Sequence, residues 1–117
     1  VNPWLDVEPC PPIQFAVENL AGAPPVETIN RSALLRDFRA LAAGAGRGCI
    51  LLERPDLLHR FLLDRGARDT SGRRTGYDEL AAACPRPSHG SVEAIPERHW
   101  LYRFAKKHWF FGFGAYG

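Results

Sequence analysis

Apolar positions along this chain recur mostly at helical spacing, and helices are the elements that the pattern predicts. Ile13, Ala16, Val17 and Leu20 share one face of a short helix over Pro12–Leu20, with Gly22 as its stop. Pro24-Pro25 then predicts an extended connector. A longer helix starts near Asn30, whose side chain suits an N-cap, and carries Leu34, Leu35, Phe38, Leu41 and Ala42 inward. Arg31, Arg36 and Arg39 take the opposite face, and Gly44, Gly46 and Gly48 end it. Cys49-Ile50-Leu51-Leu52 is an apolar run that fits a strand or a buried helical turn equally well.

Pro55 opens a further helix through Leu57, Leu58, Phe61 and Leu62, closed at Gly66. Ala67–Gly76 reads as a surface loop. Thr75 followed by Asp78 resembles a capping box, and the helix behind it would bury Tyr77, Leu80, Ala81 and Cys84 until Pro85 stops it. Residues 85–92 read as loop. The last helix opens at Pro96 and aligns Trp100, Leu101, Phe104, His108 and Phe111, before Gly112, Gly114 and Gly117 break the chain. The expected fold class is therefore mainly α, with four or five short helices, long Pro/Gly-rich connections and an extended N-terminal arm. Three parts are expected: an extended, proline-rich, acidic arm with a short helix (1–29), a small helical core (30–95) and a basic, aromatic helix and tail (96–117).

Composition changes this picture little, but its distribution changes it more. The 117 residues are 45% hydrophobic and 24% charged, an ordinary globular balance. The longest stretch without Asp, Glu, Lys or Arg, His108 to Gly117, is too short to span a bilayer. The net charge of +2 conceals a gradient. Residues 1–30 hold Asp6, Glu8, Glu18 and Glu27 and no base; residues 98–117 hold Arg98, Arg103, Lys106 and Lys107 and no acid. Eight of the thirteen aromatic residues follow position 99, so base and aromatic coincide.

Candidate chemistry is sparse. The glycines at 44, 46 and 48 follow a predicted helix rather than a strand and lack a Gly-Lys-Ser/Thr ending, which argues against a phosphate loop. Cys84, His89, His99 and His108 contain no close ligand pair of the kind that anchors structural zinc, and no metal or other cofactor is expected. Cys49 lies in an apolar run and Cys84 at a predicted helix end, whereas a reactive thiolate favours a helix N-terminus. No catalytic residue is assigned, and the chain is expected not to be an enzyme. Leu57 to Ala83 resembles one ankyrin-type unit, through Leu62-Leu63-Asp64-Arg65-Gly66-Ala67 and then Asp69-Thr70-Ser71-Gly72-Arg73. Thr75-Gly76-Tyr77 stands where that family has Thr-Pro-Leu-His, and a lone unit cannot bury its own face.

Basic and aromatic side chains together suit a protein groove, an anionic lipid surface or single-stranded nucleic acid. The expectation is a non-catalytic accessory or structural subunit of a larger protein complex, with a membrane-associated, organellar complex as its expected setting. It would dock on other protein subunits through Trp4, Leu5, Trp100, Arg103, Lys106, Lys107, Trp109, Phe110, Phe111, Phe113 and Tyr116. Contact with anionic lipid accompanies that expectation. A nucleic-acid-binding module and a stand-alone peripheral membrane protein are the alternatives. The lack of any Met fits a processed chain, from a mitochondrion or plastid after loss of a transit peptide, or a secreted one. Secretion would also suit the acceptor sequence Asn30-Arg31-Ser32 and the basic pairs Arg73-Arg74 and Lys106-Lys107.

Overall fold

Period two, not period 3.6, governs the segment after Pro12. Ile13 and Phe15 are buried while Gln14 between them is exposed, and Phe15–Ala16 forms strand β1. The helix expected over Pro12–Leu20 is therefore absent. Its proposed face left out Phe15, the largest apolar group in the stretch, and only an extended backbone buries Ile13 and Phe15 on one side. The structure is a computed structural model that describes residues 1–45, 48–88 and 99–108, with the backbone alone at 106 and 107. Among these the chain is mainly α, with six short helices and a two-stranded sheet.

Helix α1 (Pro25–Arg31) replaces the extended connector expected at Pro24-Pro25. Pro24 is extended just outside the helix and Pro25 occupies a first-turn position, where its missing N–H costs nothing. Helix α2 (Ala33–Gly44) follows after one break. Its cap is Ser32, whose hydroxyl accepts from Leu35 N at 3.1 Å, and not Asn30, which lies inside α1. Cys49–Leu52 resolves as a helical turn, α3 (Ile50–Glu53), and α4 (Pro55–Asp64) continues beyond Arg54. The end of α4 is a Schellman motif: Ala67 N donates to Leu62 O and Gly66 N to Leu63 O, both at 3.0 Å, with Gly66 at φ 61°.

That motif turns the chain into strand β2 (Arg68–Asp69), so the surface loop expected over 67–76 is corrected at its start. Ala67 is buried, and β2 pairs antiparallel with β1 in the register Phe15 with Asp69 and Ala16 with Arg68. Helix α5 (Gly76–Ala82) lacks the Thr75–Asp78 capping box. Thr75 instead donates its hydroxyl to Glu79 at 2.6 Å, and Asp69 Oδ2 accepts from Gly76 N at 2.8 Å. The strand thus caps the helix that follows it. Leu80 of α5 is buried and Tyr77 half-buried, but Ala81 and Cys84 are exposed, the latter beyond the helix end. Helix α6 (Trp100–His108) closes the described chain; Pro96 and Phe111 lie outside the described residues.

One apolar core joins β1 to helices α2–α5. Leu34 of α2, Ile50 of α3 and Leu58 and Leu62 of α4 meet Leu80 of α5. The N-terminal segment adds Ile13 and Phe15 to the same cluster, so it is extended yet built into the core rather than laid over it. Phe15 meets Tyr77 edge-on with ring centroids 4.8 Å apart, and the Tyr77 hydroxyl donates to Ala67 O. No helix among the described residues is long and apolar enough to cross a membrane.

Candidate interaction surfaces

Helix α6 has the composition of a packed helix and the exposure of an unpacked one. His99 starts it: its Nδ1 accepts from Leu101 N at 3.3 Å and its carbonyl from Arg103 N at 3.1 Å. Trp100 and Phe104 stand four residues apart, on neighbouring turns of one face. The Phe104 ring lies 4.6 Å from His108 and the Trp100 ring stacks near His99. Trp100 is 68% exposed, Leu101 52% and Phe104 54%. A surface helix ordinarily turns such a stripe towards the core. Here the stripe faces solvent, and Arg103 beside it is exposed without an ion-pair partner among the described residues.

Trp4 occupies a second apolar projection, built by polar groups. Asn2 Oδ1 accepts from both Trp4 N and Asp6 N at 3.0 Å, curling residues 2–6 into a turn. Leu5 is forced to φ 67°, a left-handed conformation that disfavours a branched side chain. The turn is held from outside: Asn19 Nδ2 donates to Trp4 O at 2.9 Å and Leu20 N to Leu5 O at 2.8 Å. Trp4 is consequently 71% exposed on a braced backbone, with Leu5 partly exposed beside it.

Beneath the turn lies Asp6, buried and charged. Its carboxylate accepts from Asn19 Nδ2 at 2.6 Å and Asn2 Nδ2 at 3.2 Å, and pairs with the Arg68 guanidinium of β2. Burial works against its charge. The Asn19 and Asn2 hydrogen bonds and the positive charge of Arg68 outweigh that cost, holding the carboxyl below its ordinary 3.8. Glu8 extends the link by accepting from the Thr70 hydroxyl at 2.5 Å.

Of the residues expected to bind a partner, the structure presents Trp4, Leu5, Trp100 and Arg103 at the surface. Lys106 and Lys107 belong to α6 by their backbone. Trp109, Phe110, Phe111, Phe113 and Tyr116 lie outside the described residues. Leu101 and Phe104 join the exposed stripe; their helical spacing with Trp100 was the signal that could have placed them among the binding residues.

Sequence reasoning missed a third feature, a cleft of about 260 Å³. Its walls come from Pro12–Phe15, α3, α5 and the segments around Arg73 and Arg86. No local pattern assembles parts that lie so far apart in the chain, and Arg73 carried only the signal of a basic pair. Among the described residues, no three His, Cys, Asp or Glu side chains gather in a group able to hold a metal ion. Compared with protein-family models, curated proteins and solved structures, the chain matches none.

Proposed function

We propose that this chain is a non-catalytic accessory subunit that docks on another protein through α6, with the Trp4 turn as a second anchor. The observation that carries the reading is the outward stripe Trp100, Leu101 and Phe104. Large apolar side chains contiguous on one helix supply the buried centre that protein interfaces need, and a rigid aromatic loses little conformational freedom on binding. Arg103, with no acid anywhere in 98–117, selects a groove of apolar floor and acidic rim. The segment that carries the Trp4 turn differs in charge, since residues 1–30 contain four acids and no base, with Asp6 paired to Arg68. The two anchors therefore favour different sites on the partner, which fixes one orientation of docking. An assembly at a membrane, with Arg103 near anionic headgroups, belongs to the same reading.

The test is native purification of the tagged full chain from its own cells, followed by identification of its stoichiometric companions. A defined companion subunit that is lost from the Trp100→Ala/Phe104→Ala variant is the expected result. A chain that purifies alone as a monomer, or a variant that keeps every companion, overturns the proposal. Trp fluorescence with phosphatidylglycerol vesicles checks the membrane-protein alternative, and salt-dependent binding to single-stranded RNA checks the nucleic-acid one.

A further inference from the structure

The cleft joins an apolar floor to a cation without a side-chain partner among the described residues. Ile13, Phe15, Leu51, Leu58 and Leu80 supply its apolar lining. The rim carries two acids and two bases. Both acids are engaged inside the protein: Asp69 accepts from Ser71 N and Gly76 N at 2.8 Å, and Glu79 accepts from Thr75 and lies 3.5 Å from the Arg73 guanidinium. Arg86 is different. Its backbone N–H donates to Leu52 O at 2.9 Å, which fixes the residue against the cleft it lines. Its guanidinium has no hydrogen-bond or ion-pair partner among the described residues.

The segment that brings Ser71 and Arg73 to the cleft is held in a costly shape. Ser71 Oγ accepts from Arg73 N at 3.2 Å, and Arg74 next to it sits at φ 62°. A non-glycine residue there gives up about 1–2 kcal/mol. Such strain recurs where a loop must present a ligand-binding group. Here it fixes the backbone on which Arg73 stands at the rim.

We propose that this cleft binds a small amphipathic carboxylate, an aryl or branched aliphatic acid, with its apolar body on Ile13, Leu51 and Leu80 and its carboxylate on Arg86. The volume lies just below the ~300 Å³ at which drug-sized pockets begin, and so admits one ring or branched group with its acid head. Arg86 offers the planar pair of donors that a carboxylate takes in two parallel bonds. Arg73, shared with Glu79, is the weaker second contact.

Titration of the full-length, isotope-labelled chain with 3-phenylpropanoate, followed by amide NMR, tests this. Saturable shifts confined to residues around Leu51, Ser71 and Arg86 are expected, with a dissociation constant of about 1 mM or below. Two comparisons accompany it. 3-Phenylpropanamide keeps the ring but lacks the charge, and Arg86→Gln lacks the cation; each is expected to weaken binding at least about tenfold. A peptide ending in Phe with a free carboxylate separates a free acid from a chain terminus as the source of the ligand. Weaker binding of the peptide supports the free acid. Equal binding of the amide and the acid, tighter binding of the peptide, or absence of saturable shifts overturns the proposal. The Trp100→Ala/Phe104→Ala variant should bind the acid unchanged, so failure of the docking reading leaves this test intact.

Discussion

Asp6 and Arg68 form an ion pair across sixty-two positions of sequence, with the carboxylate buried and the guanidinium half in solvent. Around it Asn2 and Asn19 complete the carboxylate's hydrogen bonds, and Thr70 holds Glu8 alongside. Asp6→Ala should therefore destabilise the protein by about 1–3 kcal/mol, because the donors it leaves behind lose their acceptor. Urea unfolding of the two proteins measures the difference. A change in midpoint too small to resolve would show that the pair is ornamental.

Acid should weaken the same joint. Asp6 and Asp69 both titrate below the ordinary 3.8 in the folded chain. For Asp69, burial opposes the shift, while the Ser71 hydroxyl and amide, the Gly76 amide and the Arg73 charge outweigh it. The unfolded chain binds protons first as pH falls, so this stability is fully present above the unfolded value. It is lost as pH falls from 3.8 through the lowered folded values. Unfolding midpoints measured from neutral pH downwards should drop across that window, and Asp6→Asn should drop less steeply.

Gly76 has no room for a side chain. A Cβ there would stand 2.8 Å from both the Phe15 ring and Asp69 Oδ2. Phe15 is buried and cannot retreat without disturbing the core. Gly76→Ala is expected to cost about 1–3 kcal/mol by overpacking, despite the better helix propensity of alanine. Thermal melting decides the sign.

Arg74→Gly should do the reverse. The residue is exposed and holds φ 62°, so glycine removes the strain without uncovering any apolar surface. A gain of up to about 1 kcal/mol is expected, set against the greater freedom of glycine in the unfolded chain. An unchanged or lowered melting temperature would mean that the loop bears no strain there.

Trp100→Ala and Phe104→Ala should leave folding stability within about 0.5 kcal/mol, because neither side chain is part of the core. Their effect should fall on association alone. Equal loss of stability and binding would show that α6 belongs to the core after all.

Helix α4 was legible because its own residues decide it, whereas α1 was hidden behind Pro24-Pro25. Pro55, the run Leu57 to Leu62 and Gly66 define α4 locally, and the structure agrees. The sheet was illegible because each strand has only two residues and β2 begins with two charged ones, Arg68 and Asp69. Its register depends on a partner more than fifty positions away. Ser32 was overlooked as a cap because Asn30 offered equivalent chemistry two residues earlier. Aromatic crowding after position 99 pointed to α6, and its exposed face was visible as a pattern, though sequence could not say which way the face points. The cleft required the fold itself.

The seam between the N-terminal segment and β2 also sets an order of events. Contacts of Asp6 with Arg68, Glu8 with Thr70 and Phe15 with Asp69 all close loops of more than fifty residues, whereas α4 and its Schellman turn need only near neighbours. Loop closure has to precede the reward of such distant contacts, so α4 can form early and the first twenty residues lock late. Until they lock, Ile13 and Phe15 are missing from the core and the cleft has no first wall. Asn19 and Leu20 brace the Trp4 turn locally, but its anchorage to β2 is a late product of folding, achieved only once the chain has been made beyond Thr70.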